Sequence, residues 1–141
     1  MTRRLPTRPS LVLLTTIAAV GTAGSLYFSE VLGLVPCELC WLQRILLYPQ
    51  VVILGVAAIE RRRGVWLTAL PFSLVGVAVS SYHSWLQLQP AATCSPDGGC
   101  SSILYAAAGG LVTIPRLALL AFVLLSIGLL ARAAADRRRA A

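Results

Sequence analysis

The apolar positions of this 141-residue chain fall into four long runs separated by short polar segments. A membrane-spanning helix needs about 17–25 predominantly apolar residues, and all four runs reach that length. They cover approximately residues 10–28, 41–59, 65–84 and 115–131. We therefore predict an all-α membrane protein, a bundle of four transmembrane helices that forms a single integral membrane domain over residues 1–141.

The composition supports this prediction and excludes a soluble domain. Hydrophobic residues make up 57% of the chain, charged residues 12%, and the mean hydropathy is +0.80. Soluble domains carry about 25% charged residues, and disordered or collagen-like chains differ even more. The first run is long for a signal peptide, and Tyr27-Phe28-Ser29-Glu30 is not a small-residue cleavage site, so we expect it to remain as an anchor.

The arginines predict the orientation of the chain. Arginine supplies all twelve basic residues, the net charge is +7, and ten of the twelve flank the runs on one side. These are Arg3, Arg4, Arg8, Arg61, Arg62, Arg63, Arg132, Arg137, Arg138 and Arg139. The loops on the other side, about residues 29–40 and 85–114, carry Glu30, Glu38 and Asp97. Because positive residues stay cytoplasmic, both termini are predicted inside, with two extracytoplasmic loops. Each arginine cluster is interpreted as a topology anchor, and no nucleic-acid partner is expected.

All four cysteines fall in the two outer loops, Cys37 and Cys40 in the first and Cys94 and Cys100 in the second. Disulfides persist outside the cytosol, so this placement predicts redox pairing. The second pair, joined across a Pro-Asp-Gly-Gly turn, also suits a structural staple. The first pair has the Cys-x-x-Cys spacing of exchangeable dithiols, and so short a loop is a poor staple. A zinc site made by four cysteines is the rival chemistry, but the second pair lacks the usual ligand spacing.

Polar residues collect at the depth of the first cysteine pair. Cys37 and Cys40 precede the second span, where unsatisfied N–H groups and the helix dipole favour a thiolate. Arg44 follows Cys40 at i+4, on the same helix face. A charge inside a span usually has a function, although Arg44 also suits pairing with Glu38 or Glu30 near the surface. Arg116, at the outer start of the fourth span, is ambiguous in the same way.

The third span brings further polar groups to this layer. His83, the only histidine, lies near its outer end, and Gln87 follows at i+4. A lone histidine in a bundle also suits a purely structural hydrogen bond. Trp41 is the one neighbouring aromatic residue to which we assign a role beyond the interfacial belt.

Three segments resemble the DsbB family of bacterial disulfide-generating membrane proteins, including its shorter BdbC type. They are residues 36–44 (Pro-Cys-Glu-Leu-Cys-Trp-Leu-Gln-Arg) followed by Tyr48-Pro49, residues 82–90 (Tyr-His-Ser-Trp-Leu-Gln-Leu-Gln-Pro) followed by Ala92-Thr93-Cys94, and Ile114-Pro115. The resemblance spans all four runs, both loops and all four cysteines. It implies a thiol:quinone oxidoreductase of the bacterial cytoplasmic (inner) membrane.

The resemblance also implies a relay. A reduced soluble thioredoxin-fold oxidase, similar to DsbA or BdbD, would attack the Cys94–Cys100 disulfide at Cys94. Cys100 would then attack Cys37, releasing Cys40 beside a bound quinone, either ubiquinone or menaquinone. The DsbA–DsbB–quinone system is the known oxidant of the periplasm.

In this relay four residues are expected to bind the quinone. They are Arg44, His83, Trp41 and Gln87. Arg44 and His83 would hydrogen-bond the quinone oxygens, and Arg44 would also stabilise the Cys40 thiolate. No metal is expected.

The second loop departs from the larger members of the family. Its cysteines lie six positions apart rather than far apart, so the order of attack on Cys94 and Cys100 is open. Gln43 stands where some members carry an acid. Three alternatives remain: an enzyme like vitamin K epoxide reductase, a non-enzymatic four-span protein with structural disulfides, and a metal-binding membrane module.

Overall fold

The computed structural model describes residues 7–88, 103 and 105–140, and it is predominantly helical. The four long helices are α1 (Thr7–Leu26), α2 (Glu38–Glu60), α3 (Trp66–Leu86) and α4 (Ile114–Ala140). A π-helical turn (Tyr27–Val31) extends α1, and a short 3₁₀ turn (Arg63–Val65) leads into α3. Between α3 and α4, strands β1 (Ala106–Ala107) and β2 (Val112–Thr113) form an antiparallel hairpin.

All four helices are long and apolar enough to cross a membrane. The chain is therefore a multi-pass membrane protein with four spans, as the sequence predicted. Many large apolar side chains point outward, among them Val20 and Ile59, which are 66% and 81% exposed. In a bilayer these side chains meet lipid, where backbone polar groups must be satisfied within each helix.

The interior of the bundle is filled mainly by leucine side chains and one phenylalanine. Leu11, Leu54, Phe122 and Leu125 are completely buried. At one tight contact, between α3 and α4, a Cβ added at Gly76 would collide with the ring of Phe122. Small residues at helix contacts let backbones approach closely, and van der Waals packing then holds membrane helices together.

The arginine-rich end of the bundle is more than a set of topology anchors. Arg61 ends α2 in a left-handed conformation (φ 56°), and its N–H donates to the carbonyl of Ala57. Arg132 is 1% exposed and lies 3.7 Å from Asp136, one turn further along α4. Arg137 lies over the ring of Trp66 at 5.4 Å. Arg132 thus belongs to the packed interior, which charge counting alone did not predict.

At the other end, two features shape the surroundings of the first cysteine pair. The π-helical turn closes with a hydrogen bond from Leu32 N–H to Tyr27 O (3.2 Å), and Phe28 packs against Tyr105 at 4.9 Å between ring centroids. Arg116 donates to the carbonyls of Gly110 (3.0 Å) and Leu111 (3.1 Å), so it secures the hairpin rather than the cysteines.

Candidate functional site

The first cysteine pair lies at the N-terminus of α2. Cys37 is the N-cap residue, its carbonyl accepts from Trp41 N–H at 3.0 Å, and Cys40 lies in the first turn. The two Sγ atoms are 3.3 Å apart, in contact and beyond covalent length. Both residues are half-buried. The helix begins slightly before the predicted span because the cysteine motif forms its first turn, where unsatisfied N–H groups favour an anionic sulfur.

A cavity of about 450 Å³ opens beside this pair, between α1, α2 and α4. Cys40, Gln43 and Arg44 supply polar groups to its wall, and most of the other lining residues are apolar. Val20 and Leu120, which also line the cavity, are 66% and 56% exposed on the outside of the bundle. The cavity is therefore accessible from the side, at the level where lipid surrounds the helices.

Arg44 is held against α1 rather than paired with an acid. Its Nε donates to Ser25 Oγ and its Nη2 to the Ser25 carbonyl, both at 3.0 Å. Tyr48 donates to the same Oγ at 3.2 Å, and the guanidinium carbon lies 5.3 Å from the centre of the Trp41 ring. Within the described residues no carboxylate lies within 4.0 Å of Arg44, so the predicted alternative of pairing with Glu38 or Glu30 is wrong.

His83 is brought to the cysteines by α3, and it is only 2% exposed. Its Nε2 lies 3.8 Å from Cys37 Sγ, and its Nδ1 lies 3.2 Å from the side-chain nitrogen of Gln43. His83 does not line the cavity. The structure thus brings the histidine to Cys37, while Cys40 and Arg44 line the cavity.

The remaining predicted site residues lie elsewhere or outside the described residues. Trp41 is 54% exposed and reaches the site through its contact with Arg44. Gln87 is the C-cap of α3, with its N–H on the His83 carbonyl. Neither residue lines the cavity. Cys94 and Cys100 fall outside the described part of the chain.

Among the described residues, one group has the donor set of a metal site. The ligand atoms of Cys37, Cys40 and His83 all lie within 4.8 Å of one another. Two thiolates and an imidazole suit zinc. This set differs from the four-cysteine site weighed from the sequence, because it depends on a histidine from another helix.

Two residues of this site were not predicted from the sequence. Gln43 is 5% exposed, lines the cavity and contacts His83, whereas the sequence suggested only that an acid is dispensable at this position. Ser25 was not singled out, because nothing distinguishes it from the other serines until α1 packs against α2. Its position one helical turn before the polar Ser29-Glu30 end of the first span is the only signal that the sequence offered.

A four-span bundle with a Cys-x-x-Cys at a helix start defines a membrane protein built for thiol chemistry. A family profile described as "Disulfide bond formation protein DsbB" matches residues 7–132. The chain belongs to this DsbB family. It is 42% identical over 115 residues to "Disulfide bond formation protein C" of Bacillus subtilis (strain 168), covering 79% of this chain and 83% of that protein.

Other relatives agree with this assignment. A "Probable disulfide formation protein" of Oceanobacillus iheyensis is 40% identical over 122 residues, 83% of each chain. Another of that description, from Chlamydia muridarum, is 39% identical over 108 residues, 75% of this chain and 78% of the relative. No solved structure matches. The chain is thus a disulfide-forming membrane protein and an oxidoreductase.

Proposed function

We propose that the chain is a thiol:quinone oxidoreductase that reoxidises a soluble thioredoxin-fold disulfide donor outside the cytoplasm. The observation that carries this proposal is the cavity, whose wall contains both Cys40 and Arg44. One reactive sulfur and one fixed cation therefore meet at an apolar site open to the bilayer. This is the arrangement that a lipid-soluble electron acceptor requires.

The described residues fit a quinone head group. A volume of about 450 Å³ is within the range of small-molecule sites, which are mostly apolar with a few placed polar groups. Ser25 accepts hydrogen bonds from Nε and Nη2 of Arg44. Within residues 7–88, 103 and 105–140 no hydrogen bond from Nη1 is seen. Nη1 and the Gln43 amide are the donors that would hold the quinone oxygens. A bound quinone would accept two electrons and two protons from the dithiol.

The chain's own groups account for the chemistry around that acceptor. Arg44 stabilises negative charge on Cys40, and the start of α2 adds the partial charge of its N–H groups. Because Arg44 is already fixed by Ser25, little reorganisation is needed when charge develops beside it. Trp41 contacts the guanidinium, whose carbon lies over its ring. Gln87 remains in the proposal as a polar residue at the same depth as the quinone site. His83 is assigned a separate role below.

The second cysteine pair completes the proposed relay. A thiolate of the soluble oxidase attacks Cys94, and Cys100 is released. Cys100 attacks Cys37 and displaces Cys40 as a thiolate. The second thiolate of the soluble oxidase attacks its own mixed disulfide with Cys94, so the oxidase leaves in its oxidised form and Cys94 is freed as a thiolate. Cys94 then attacks Cys100, which reforms the second disulfide and releases Cys37. Each step exchanges one disulfide for another, so one electron pair passes from the partner to the Cys37/Cys40 dithiol.

A quinone-dependent thiol-oxidation assay with each cysteine replaced in turn tests this proposal. The purified protein with a short-chain quinone is expected to oxidise a reduced thioredoxin-fold partner over many turnovers. Cys94→Ser should block partner oxidation while leaving the Cys37/Cys40 dithiol able to be oxidised by quinone. Loss of both half-reactions in Cys94→Ser would contradict the relay order, and partner oxidation over many turnovers in the absence of quinone and oxygen would contradict the proposal itself.

A further inference from the structure

Gln43 lies between the cavity and His83. Its side chain is 5% exposed, lines the cavity and contacts Nδ1 of the imidazole at 3.2 Å. The other ring nitrogen, Nε2, lies 3.8 Å from Cys37 Sγ. Gln43, His83 and Cys37 thus form a continuous series of contacts. The series runs from the cavity wall to the sulfur of Cys37, which does not line the cavity.

The order of donors in this chain follows from the chemistry of the amide. A side-chain NH₂ group only donates hydrogen bonds. In the amide orientation of the structure, the nitrogen of Gln43 faces His83, so Nδ1 must accept. A neutral imidazole carries one proton, which is then on Nε2. Nε2 faces Cys37, so the histidine presents an N–H to that sulfur.

We infer that Gln43 fixes His83 with its proton on Nε2, and that His83 thereby donates a hydrogen bond to Cys37 and stabilises the Cys37 thiolate. The inference rests on the proposed function, because it assigns a role within that relay. His83 then serves thiol–disulfide exchange at Cys37, and Gln43 is its positioning residue. The electron acceptor meets the other side of the dithiol, at Cys40 and Arg44.

The step that this arrangement assists is the release of Cys37. When Cys94 thiolate attacks Cys100, a sulfur–sulfur bond forms between Cys94 and Cys100, and the bond between Cys100 and Cys37 breaks. Cys37 leaves with the electron pair as a thiolate, and no proton is transferred. The Nε2–H group compensates the new negative charge, as hydrogen bonds to anions are stronger than neutral ones.

The same geometry argues against a zinc role for these residues. A metal needs the lone pair of a histidine nitrogen, and the partner of the other nitrogen determines which tautomer is present. With the Gln43 amide nitrogen on Nδ1, Nε2 carries its proton toward Cys37 and offers no lone pair.

The experiment measures Cys37 alone, without quinone or partner protein. In a Cys40→Ser/Cys94→Ser/Cys100→Ser background, the rate of alkylation by iodoacetamide at neutral pH reports the thiolate of Cys37. His83→Asn and Gln43→Leu are each expected to slow alkylation by roughly ten-fold, the size of a charged hydrogen bond. The double variant should be no slower than His83→Asn, because both substitutions remove one interaction.

Two further variants separate this effect from damage to the bundle. Gln50→Leu is the matched control, since Gln50 is a completely buried glutamine two turns further along α2, bonded to Ser73. It should leave the alkylation rate unchanged. Gln43→Glu should keep or raise the rate, because a carboxylate accepts from Nδ1–H and favours the imidazolium, which also presents Nε2–H to Cys37.

Wild-type alkylation in Gln43→Leu, or additive losses in the double variant, would overturn the inference. So would a zinc affinity of the reduced wild-type protein that falls in His83→Asn, because the histidine would then present a lone pair. Neither the alkylation rates nor the zinc affinities are measured in the presence of quinone. If quinone-linked oxidation failed while the alkylation pattern was as expected, the proposed function would be wrong. The inferred role of Gln43 and His83 at Cys37 would still hold.

Discussion

Arg44 is the residue whose surroundings say most about the site. Its Nε and Nη2 donate to Ser25, and its guanidinium carbon lies over the Trp41 ring. A guanidinium is planar and rigid, so fixing two of its nitrogens also sets the direction of the third, Nη1. We therefore expect Arg44 to contribute to quinone binding through a pre-set direction as well as through its charge.

Replacing Arg44 by methionine tests this expectation. Arg44→Met should raise the apparent KM for a short-chain quinone by roughly ten-fold or more, because a charged hydrogen bond is lost. Arg116→Met is the matched control, since Arg116 bonds only to the carbonyls of Gly110 and Leu111 among its described contacts. Steady-state quinone reduction gives both values, and an unchanged KM in Arg44→Met would remove this residue from the site.

Ser25 provides a subtler test of the same point. Ser25→Ala keeps the charge of Arg44 but removes the hydroxyl that accepts from Nε and from Tyr48. We expect a rise of roughly three-fold in the quinone KM, smaller than that of Arg44→Met, because the backbone carbonyl still holds Nη2. Ser25→Thr should restore the wild-type KM. A threonine variant as impaired as the alanine variant would point to packing rather than to the hydroxyl.

At this scale the sequence predicted contacts within a helix and missed those between helices. The i, i+4 spacing correctly put Cys40 and Arg44 on one face, and both line the cavity. Ser25 is 19 residues from Arg44, and His83 is 46 residues from Cys37. Such contacts depend on how the helices dock, which no local spacing encodes.

At the scale of elements, the contact between α3 and α4 depends on one glycine. Gly76→Ala should lower the stability of the bundle by about 1–3 kcal/mol, because the new methyl group meets the buried ring of Phe122. Gly55→Ala is the control, since its Cβ would make only an ordinary contact with Thr15 at 3.6 Å. Thermal unfolding in detergent should rank Gly76→Ala well below Gly55→Ala. If Gly76→Ala and Gly55→Ala were equally stable, the contact between α3 and α4 would not depend on the absence of a side chain at Gly76.

The long elements were predictable and the short ones were not. Four apolar runs predicted four helices because each run must satisfy its backbone internally within lipid. The π-helical turn and the two-residue strands of the β1–β2 hairpin carry no comparable signal. They are fixed by contacts such as Phe28 against Tyr105 and Arg116 on the hairpin carbonyls, which form only in the folded chain.

For the whole molecule, the distribution of arginines predicts an orientation in the membrane, and this orientation can be compared with the positions of the cysteines in the fold. The cysteine motif begins α2, and the arginine-rich turn follows its end, so the two lie at opposite ends of one membrane-spanning helix. If positive residues are inside, the dithiol must be outside.

Labelling of intact cells tests this orientation. A membrane-impermeant maleimide should modify the reduced Cys37/Cys40 pair directly, in a Cys94→Ser/Cys100→Ser background. A cysteine introduced by Arg62→Cys into a variant lacking the native four should react only after the cells are permeabilised. The reverse pattern would place the dithiol among cytosolic reductants and contradict an oxidising role.

The proposed function requires that the Cys37/Cys40 pair by itself passes electrons to a quinone. An anaerobic single turnover measures this directly, with reduced Cys94→Ser/Cys100→Ser protein mixed with a small excess of quinone and followed by quinone absorbance. About one quinone should be reduced per protein, the capacity of a two-electron couple, and Cys40→Ser in the same background should reduce none. Equal quinone reduction with and without Cys40 would contradict electron transfer from this pair to the quinone.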